Sequence, residues 1–420
     1  MKLEIQPLVA LCDEKVNICV SELPPQGKVK ISAALVYPWA KTVKCESFAW
    51  FTADITGKVD LSVQKPDSGT YDYVDSMGLI SSVQIASGDL NDVAQNISVD
   101  ESLFIDFTAE CGEDRATTRA ERLFKTPEVK NLKITDEFVG ELFYTENRDY
   151  KTIVLFGGSS GSLDANLPIS ATLASHGFNV LTVAYFHEKG LPANLSQIPL
   201  EYFEKVFDWV RKHPITGGNN IQLLGISKGG ELVMLLASRY PFITKVAAMA
   251  PHAYCFQGIA FKNASSWTYH GKDLPYIRLK NTWLIADVLD CMVKNLPFGF
   301  TSTYRKGLNV AKNKEEARIK IENSNADLML FATTQNNMWN TYDGCTQIMD
   351  TLRERNYQHK YDLVVYEDAG EPFYVPYVIP AGVTSTKLAP RLVLSMGGSL
   401  KGNTHTQVDS WKRTVQFFKN

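Results

Sequence analysis

The sequence predicts a two-domain protein of class α/β, a small all-β sandwich followed by a mainly parallel sheet with helices on both faces. Three observations carry this reading. The 420 residues exceed the ~100–150 typical of one domain. Residues 1 to about 125 hold only short runs of alternating polarity, and from Thr126 onward apolar strands alternate with helical patterns.

In the first part, KLEIQPLVAL, KVNICVSEL, KVKISAALVY, SFAWFTADI and SLFIDFTAE are separated by Pro, Gly, Asp and Asn clusters. That spacing is expected of a small antiparallel, immunoglobulin-like sandwich. It contains no catalytic constellation and is read as a packing or substrate-shaping module.

In the second part, KTIVLFGGSSGS (151–162) is a buried strand entering a glycine-serine loop, and FNVLTVAYF (178–186) is the next strand. LEYFEKVFDWVRKHP spaces Leu200, Phe203, Val206, Phe207 and Val210 on one helical face and stops at His213-Pro214. IQLLGIS, the helix GELVMLLASRY and the strand ITKVAAMAP follow. The strands DLMLFATT and YDLVVYED and a final helix TQVDSWKRTVQFF close the chain. Such alternation gives a parallel sheet buried on both sides. Residues 252–326 are long for a connection and carry Phe256, Phe261, Trp267, Tyr269, Tyr276 and Trp283. They are expected to form either a lid or acyl-chain wall, or an inserted helical hairpin without a ligand role.

Composition narrows the functions. A hydrophobic content of 45%, a charged content of 21% and a formal net charge of −3 describe a globular protein without a surface dedicated to nucleic acid or anionic membrane. Small molecules or proteins are the expected partners. The seven cysteines are scattered without a C-x-x-C pair, which favours reduced thiols, no structural zinc and a cytoplasmic location. The N-terminal apolar stretch is broken by Gln6, Pro7 and Asp13, so no signal peptide or membrane span is expected. The chain ends Phe-Lys-Asn, not Ser-Lys-Leu, and its three N-x-S/T sequons are read as chance matches. No cofactor is implied.

The chemistry centres on Gly225-Ile226-Ser227-Lys228-Gly229. A G-x-S-x-G segment that follows an apolar strand and opens a helix is the context of a nucleophile elbow, whose glycines avoid collisions at a strained turn. The alternative is that Ser227 only caps the helix. With the elbow in the middle, the element order is that of an α/β-hydrolase. Its oxyanion hole would use the backbone N–H of Lys228 and one from Gly157-Gly158-Ser159, assigned to Gly158. These glycines could instead be turn formers, but their position after a buried strand favours the first reading.

The sandwich-plus-sheet order, DSMGLISSV (75–83), LEYFEKVFDWV, LLGISKGGELVMLLAS and GGSLKGNTHTQVDSWKRTVQFF together resemble the acyl-CoA thioesterase and bile acid-CoA:amino acid N-acyltransferase family. The resemblance covers nearly the whole chain, with domains at 1–125 and 126–420. Serine at the nucleophile position points to the thioesterase branch, since the transferase branch typically has cysteine there. The resemblance implies an acyl-CoA or acyl ester substrate, an acyl-enzyme at Ser227 and an Asp-His pair. Here the sequence departs. In TTQNNMWNT, Gln335 or Asn336, with Asn336 preferred, stands where the family's aspartate is expected, and in YEDAGEPFYVPY, Glu371 stands at the histidine's place.

An Asp-to-Asn change costs about 10⁴-fold in kcat in serine proteases. A glutamate with an ordinary pKa of about 4.3 is a weak base at neutral pH. The thiolate of CoA is a good leaving group, so slow hydrolysis is expected. His405, expected to open the last helix, and His252, after the strand that follows the serine helix, are the histidines considered as relocated bases. Two other readings are a non-catalytic descendant that binds acyl-CoA, lipid or a protein partner, and a transferase to another acyl acceptor.

Overall fold

The computed structural model describes residues 1–146, 151–216, 218, 220–260 and 262–420; Phe261 of the insertion lies outside them. The chain divides into two compact units. Met1–Thr126 with Tyr374–Val383 and Ser399–Val408 form the first, and Pro127–Phe373 with Thr384–Gly398 and Asp409–Asn420 form the second. Two late stretches therefore join the first unit. Tyr37 donates its hydroxyl to Val378 O at 2.7 Å, and Asn403 Nδ2 donates to Ala381 O at 3.1 Å. Such long-range partners leave no periodic trace in the sequence.

The first unit is all-β over its N-terminal part, with a three-stranded and a seven-stranded sheet. In Lys28–Tyr37 the side chains alternate, and Val29, Ile31, Ala33, Leu35 and Tyr37 are buried. Period-2 burial is what a strand with one wet face requires.

The second unit is an α/β-hydrolase built on an eight-stranded sheet. Its strands are β1 (Lys130–Ile134), β2 (Val139–Tyr144), β3 (Thr152–Phe156), β4 (Asn179–Ala184), β5 (Ile221–Ile226), β6 (Ile243–Met249), β7 (Asp327–Thr333) and β8 (Tyr361–Tyr366), in spatial order β1-β2-β4-β3-β5-β6-β7-β8. β1–β2 and β2–β4 pair antiparallel and the remaining pairs are parallel. β3 and β4 have no exposed residue, as expected of strands covered on both faces.

The longer helices are α1 (Leu167–Ser175), α2 (Leu200–Lys212), α3 (Lys228–Ala237), α4 (Asn281–Lys294), α5 (Thr301–Val310), α6 (Thr341–Glu354) and α7 (Leu400–Lys419). α2 buries Leu200, Phe203, Val206, Phe207 and Val210 and ends where His213 turns extended before Pro214, because the residue before proline avoids the helical region. Between β6 and β7 the insertion carries α4 and α5. Phe256 and Trp267 are fully buried, while α4 buries none of its residues. Phe256 and Trp267 are therefore core residues. Among the described residues no helix is long and apolar enough to cross a membrane, and none of the seven cysteines is in a disulfide bond.

Candidate active site

β5 lies near the middle of the sheet, and its last residues run straight into α3. Ser227, between them, has φ 56° and ψ −117°, a region that costs a non-glycine residue ~1–3 kcal/mol and persists only where surroundings enforce it. The enforcement is visible. Ser227 N donates to Met249 O at the end of β6 at 2.8 Å, and Glu231 N donates to Ser227 O at 3.1 Å. The flanking glycines permit the close approach: a Cβ on Gly225 would lie 2.2 Å from Gly229 O, and one on Gly229 would lie 2.2 Å from Phe156 O. Ser227 makes no side-chain capping bond to α3, so the hydroxyl is not engaged in the capping role weighed from the sequence.

The loop after β3 runs beside the elbow, since Phe156 is in register with Gly225. A Cβ on Gly158 would come within 3.1 Å of Ser227 Cβ and 3.7 Å of its Oγ. Neither the Gly158 nor the Lys228 N–H bonds a backbone acceptor among the described residues. Two N–H groups are thus available beside one hydroxyl, the arrangement that can hold a developing oxyanion.

Asn336 and Glu371 come from the loops after β7 and β8. These loops are joined by Thr334 N to Tyr366 O at 3.1 Å and Gln335 N to Ala369 O at 3.1 Å, and Thr333 Oγ1 donates to Gly370 O. Asn336 Oδ1 accepts from the backbone N–H groups of Met338, at 2.8 Å, and Trp339, at 3.3 Å. That fixes the amide orientation, and Asn336 Nδ2 donates to Glu371 Oε2 at 3.0 Å. The Ser227 hydroxyl lies near enough to the Glu371 carboxyl to lower its pKa. Burial holds this carboxyl above its usual range, and the Ser227 hydroxyl and the Asn336 amide oppose that rise. Asn336 and Glu371 are therefore hydrogen-bonded to each other, with the Ser227 hydroxyl near the same carboxyl.

The two histidines behave differently. His252 is fully buried, its ring packing edge-on to Phe256 at 4.8 Å. Neither ring nitrogen meets a hydrogen-bonding partner among the described residues. Burial, and then the Lys228 cation, push its pKa down to about 3, so it is a neutral core residue. His405 does not open the last helix. Gly402 N donates to Ser399 Oγ at 3.1 Å and α7 begins at Leu400, so His405 lies in its second turn, exposed, in the portion of chain that groups with the first unit.

Sequence reasoning missed a buried ion pair behind the elbow. Lys228 Nζ donates to Glu231 Oε2 at 2.7 Å, with side-chain exposures of 3% and 0%. Trp267 Nε1 donates to Glu231 Oε1 at 2.8 Å, and the ammonium lies 5.8 and 5.9 Å from the Trp267 and Trp339 rings. Burial raises the Glu231 carboxyl, with Lys228 the leading opposing influence. The available signal was an i,i+3 charge pair in an otherwise apolar helix. The insertion also reaches the Asn336 loop, where Thr301 Oγ1 donates to Asn336 O at 2.9 Å.

Comparison with known proteins adds the following. The family model for the BAAT / Acyl-CoA thioester hydrolase C terminal matches residues 198–420, and that for the Acyl-CoA thioester hydrolase/BAAT N-terminal region matches residues 13–136. The chain is 25% identical to human "Acyl-coenzyme A thioesterase 2, mitochondrial" over 428 residues, 99% of this chain and 83% of that one. It is 26% identical to mouse bile acid-CoA:amino acid N-acyltransferase over 437 residues, 100% and 97% of the two chains. Among solved structures, a Pyrococcus furiosus esterase superposes with a TM-score of 0.40 at 15% identity, over 70% of this chain and 92% of that one.

Proposed function

Because this chain belongs to the BAAT/acyl-CoA thioester hydrolase family, we propose that it hydrolyses an acyl-CoA thioester through an acyl-enzyme at Ser227, with Glu371 as the base and Asn336 orienting it. In the acylation step Ser227 Oγ bonds to the thioester carbon while its proton passes to Glu371. The carbonyl oxygen becomes an oxyanion held by the N–H groups of Lys228 and Gly158. Collapse breaks the C–S bond, and the CoA thiolate leaves, taking the proton from Glu371. In the second half a water gives its proton to Glu371 and bonds to the acyl carbon. The C–O bond to Ser227 breaks, the proton returns to Ser227 Oγ and the free acid departs.

The observation that carries this reading is the Glu371 carboxyl, held by Asn336 and influenced by the nearby Ser227 hydroxyl, beside two available N–H groups. In this chain a carboxylate replaces imidazole. The carboxyl's raised pKa makes it a stronger base than an exposed glutamate, and the thiolate needs little help to leave. Each oxyanion donor supplies about 10²–10³ in kcat. His405 has no part in this scheme.

The serine at position 227 favours hydrolysis over transfer to an amine, because the resemblance places serine in the thioesterase branch. The test is CoA release from an acyl-CoA by wild type and Ser227→Ala, with product analysis in the presence of amino acids. Release by the wild type that is abolished in the variant supports the hydrolase. Absence of release by the wild type supports the non-catalytic descendant, and an amide product supports the transferase.

A further inference from the structure

The ion pair behind the elbow has no role in the scheme above. α3 is buried along all ten residues, and Lys228 and Glu231 are its only charged ones. Removing such ions from water costs several kcal/mol each, and replacing a buried pair by apolar residues of similar volume is often neutral or stabilising. Stability therefore does not explain the pair, but its connections do. The backbone N–H of residue 231 donates to Ser227 O at 3.1 Å, the i→i−4 helical bond that any residue there makes, and the Glu231 side chain adds a hold on the other half of the same peptide unit, its Oε2 accepting from the Lys228 ammonium at 2.7 Å. In a planar trans peptide the N–H points opposite to the C=O, so fixing Ser227 O and the Lys228 side chain fixes the direction of the Lys228 N–H. That is the N–H assigned to the oxyanion. Glu231 Oε1 meanwhile accepts from Trp267 Nε1 at 2.8 Å and from Phe256 N at 3.4 Å, both from the insertion. Phe256 is itself tied into that segment, since Ser266 Oγ donates to Phe256 O at 3.0 Å.

We propose that Glu231 is a positioning residue: it locks the Ser227–Lys228 peptide, and with it the oxyanion donor, to the inserted segment through Lys228, Trp267 and Phe256. The proposal rests on the serine hydrolase reading. It makes the insertion's seating on α3 a condition for an efficient acylation step.

The experiment measures the second-order rate of fluorophosphonate labelling of Ser227, and kcat and KM for an acyl-CoA, normalised to titrated active sites so that unfolded molecules do not count. The proteins are wild type, Glu231→Gln and the apolar double variant Lys228→Met/Glu231→Leu. A misplaced donor costs up to about 10² in rate, so labelling and kcat are expected to fall about 10- to 100-fold in both variants, with KM little changed. The double variant is expected to resist urea as well as wild type does. Its loss of rate without loss of stability is the signature that a purely structural pair would not give. Wild-type labelling with unchanged rates in Glu231→Gln overturns the positioning role alone. No labelling of the wild type overturns the hydrolase reading and this proposal with it.

Discussion

Replacing Glu371 with glutamine removes the proposed base while preserving its size. The Asn336 amide is fixed as a donor by the two backbone N–H groups on its Oδ1, so the glutamine's oxygen turns to Asn336 Nδ2. Its NH₂ then faces the Ser227 hydroxyl, and nothing remains to accept the serine proton. General-base catalysis is worth about 10²–10⁴-fold, roughly 3–5 kcal/mol of barrier, and the loss is expected in kcat/KM for an acyl-CoA. The pH profile supplies a second readout. A carboxylate base works deprotonated, so wild-type kcat/KM rises with pH through the Glu371 pKa, which burial holds above the usual carboxylate range. In Glu371→Gln that acidic limb disappears. A variant within about threefold of wild type, with the limb intact, refutes the assignment of Glu371.

Other perturbations follow from the same geometry. Asn336→Asp sets a second carboxyl against Glu371 Oε2, now 3.0 Å from the amide nitrogen; like charges at that range do not both ionise, so the acidic limb moves to higher pH. Adding Glu371→His turns that repelling pair into carboxylate and imidazole and raises kcat/KM above wild type. Gly229→Ala drives a methyl to 2.2 Å from Phe156 O and is expected to cost about 3 kcal/mol or more, read by urea unfolding. His252→Phe leaves turnover intact and changes acid stability. Because the folded pKa of His252 is lowered to about 3, its contribution is full above the unfolded value of about 6.5 and is lost as pH falls. Unfolding free energy below pH ~6 should therefore drop less steeply in the variant; equal slopes contradict the buried neutral state.

Much of the fold was legible because local rules and tertiary packing agreed. The spacing of Leu200, Phe203, Val206, Phe207 and Val210 is the buried face of α2, and glycines at 225 and 229 are demanded by contacts that any Cβ would violate. β1 and β2 were less visible: Lys130–Ile134 exposes four of its five residues, so no apolar run announces it. Asn336 and Glu371 were noticed as substitutions, but their mutual bond depends on two loops joined across β7 and β8. The Lys228–Glu231 pair was hidden for the opposite reason. Charged residues three apart on a helix are ordinarily a solvated pair, whereas here Phe256 and Trp267 of the insertion and Trp339 after β7 meet it. The early start of α7 rests on Ser399, a helix-capping residue that a search for apolar periodicity passes over.

The central claim is that Ser227 carries the acyl group. Rapid mixing of the protein with an acyl-CoA, acid quenching within the first turnover and mass spectrometry of the digested chain test it directly. The acyl mass is expected on the Ser227-containing peptide, formed as CoA is released, with neither adduct nor CoA release in Ser227→Ala. CoA release that persists in Ser227→Ala contradicts it.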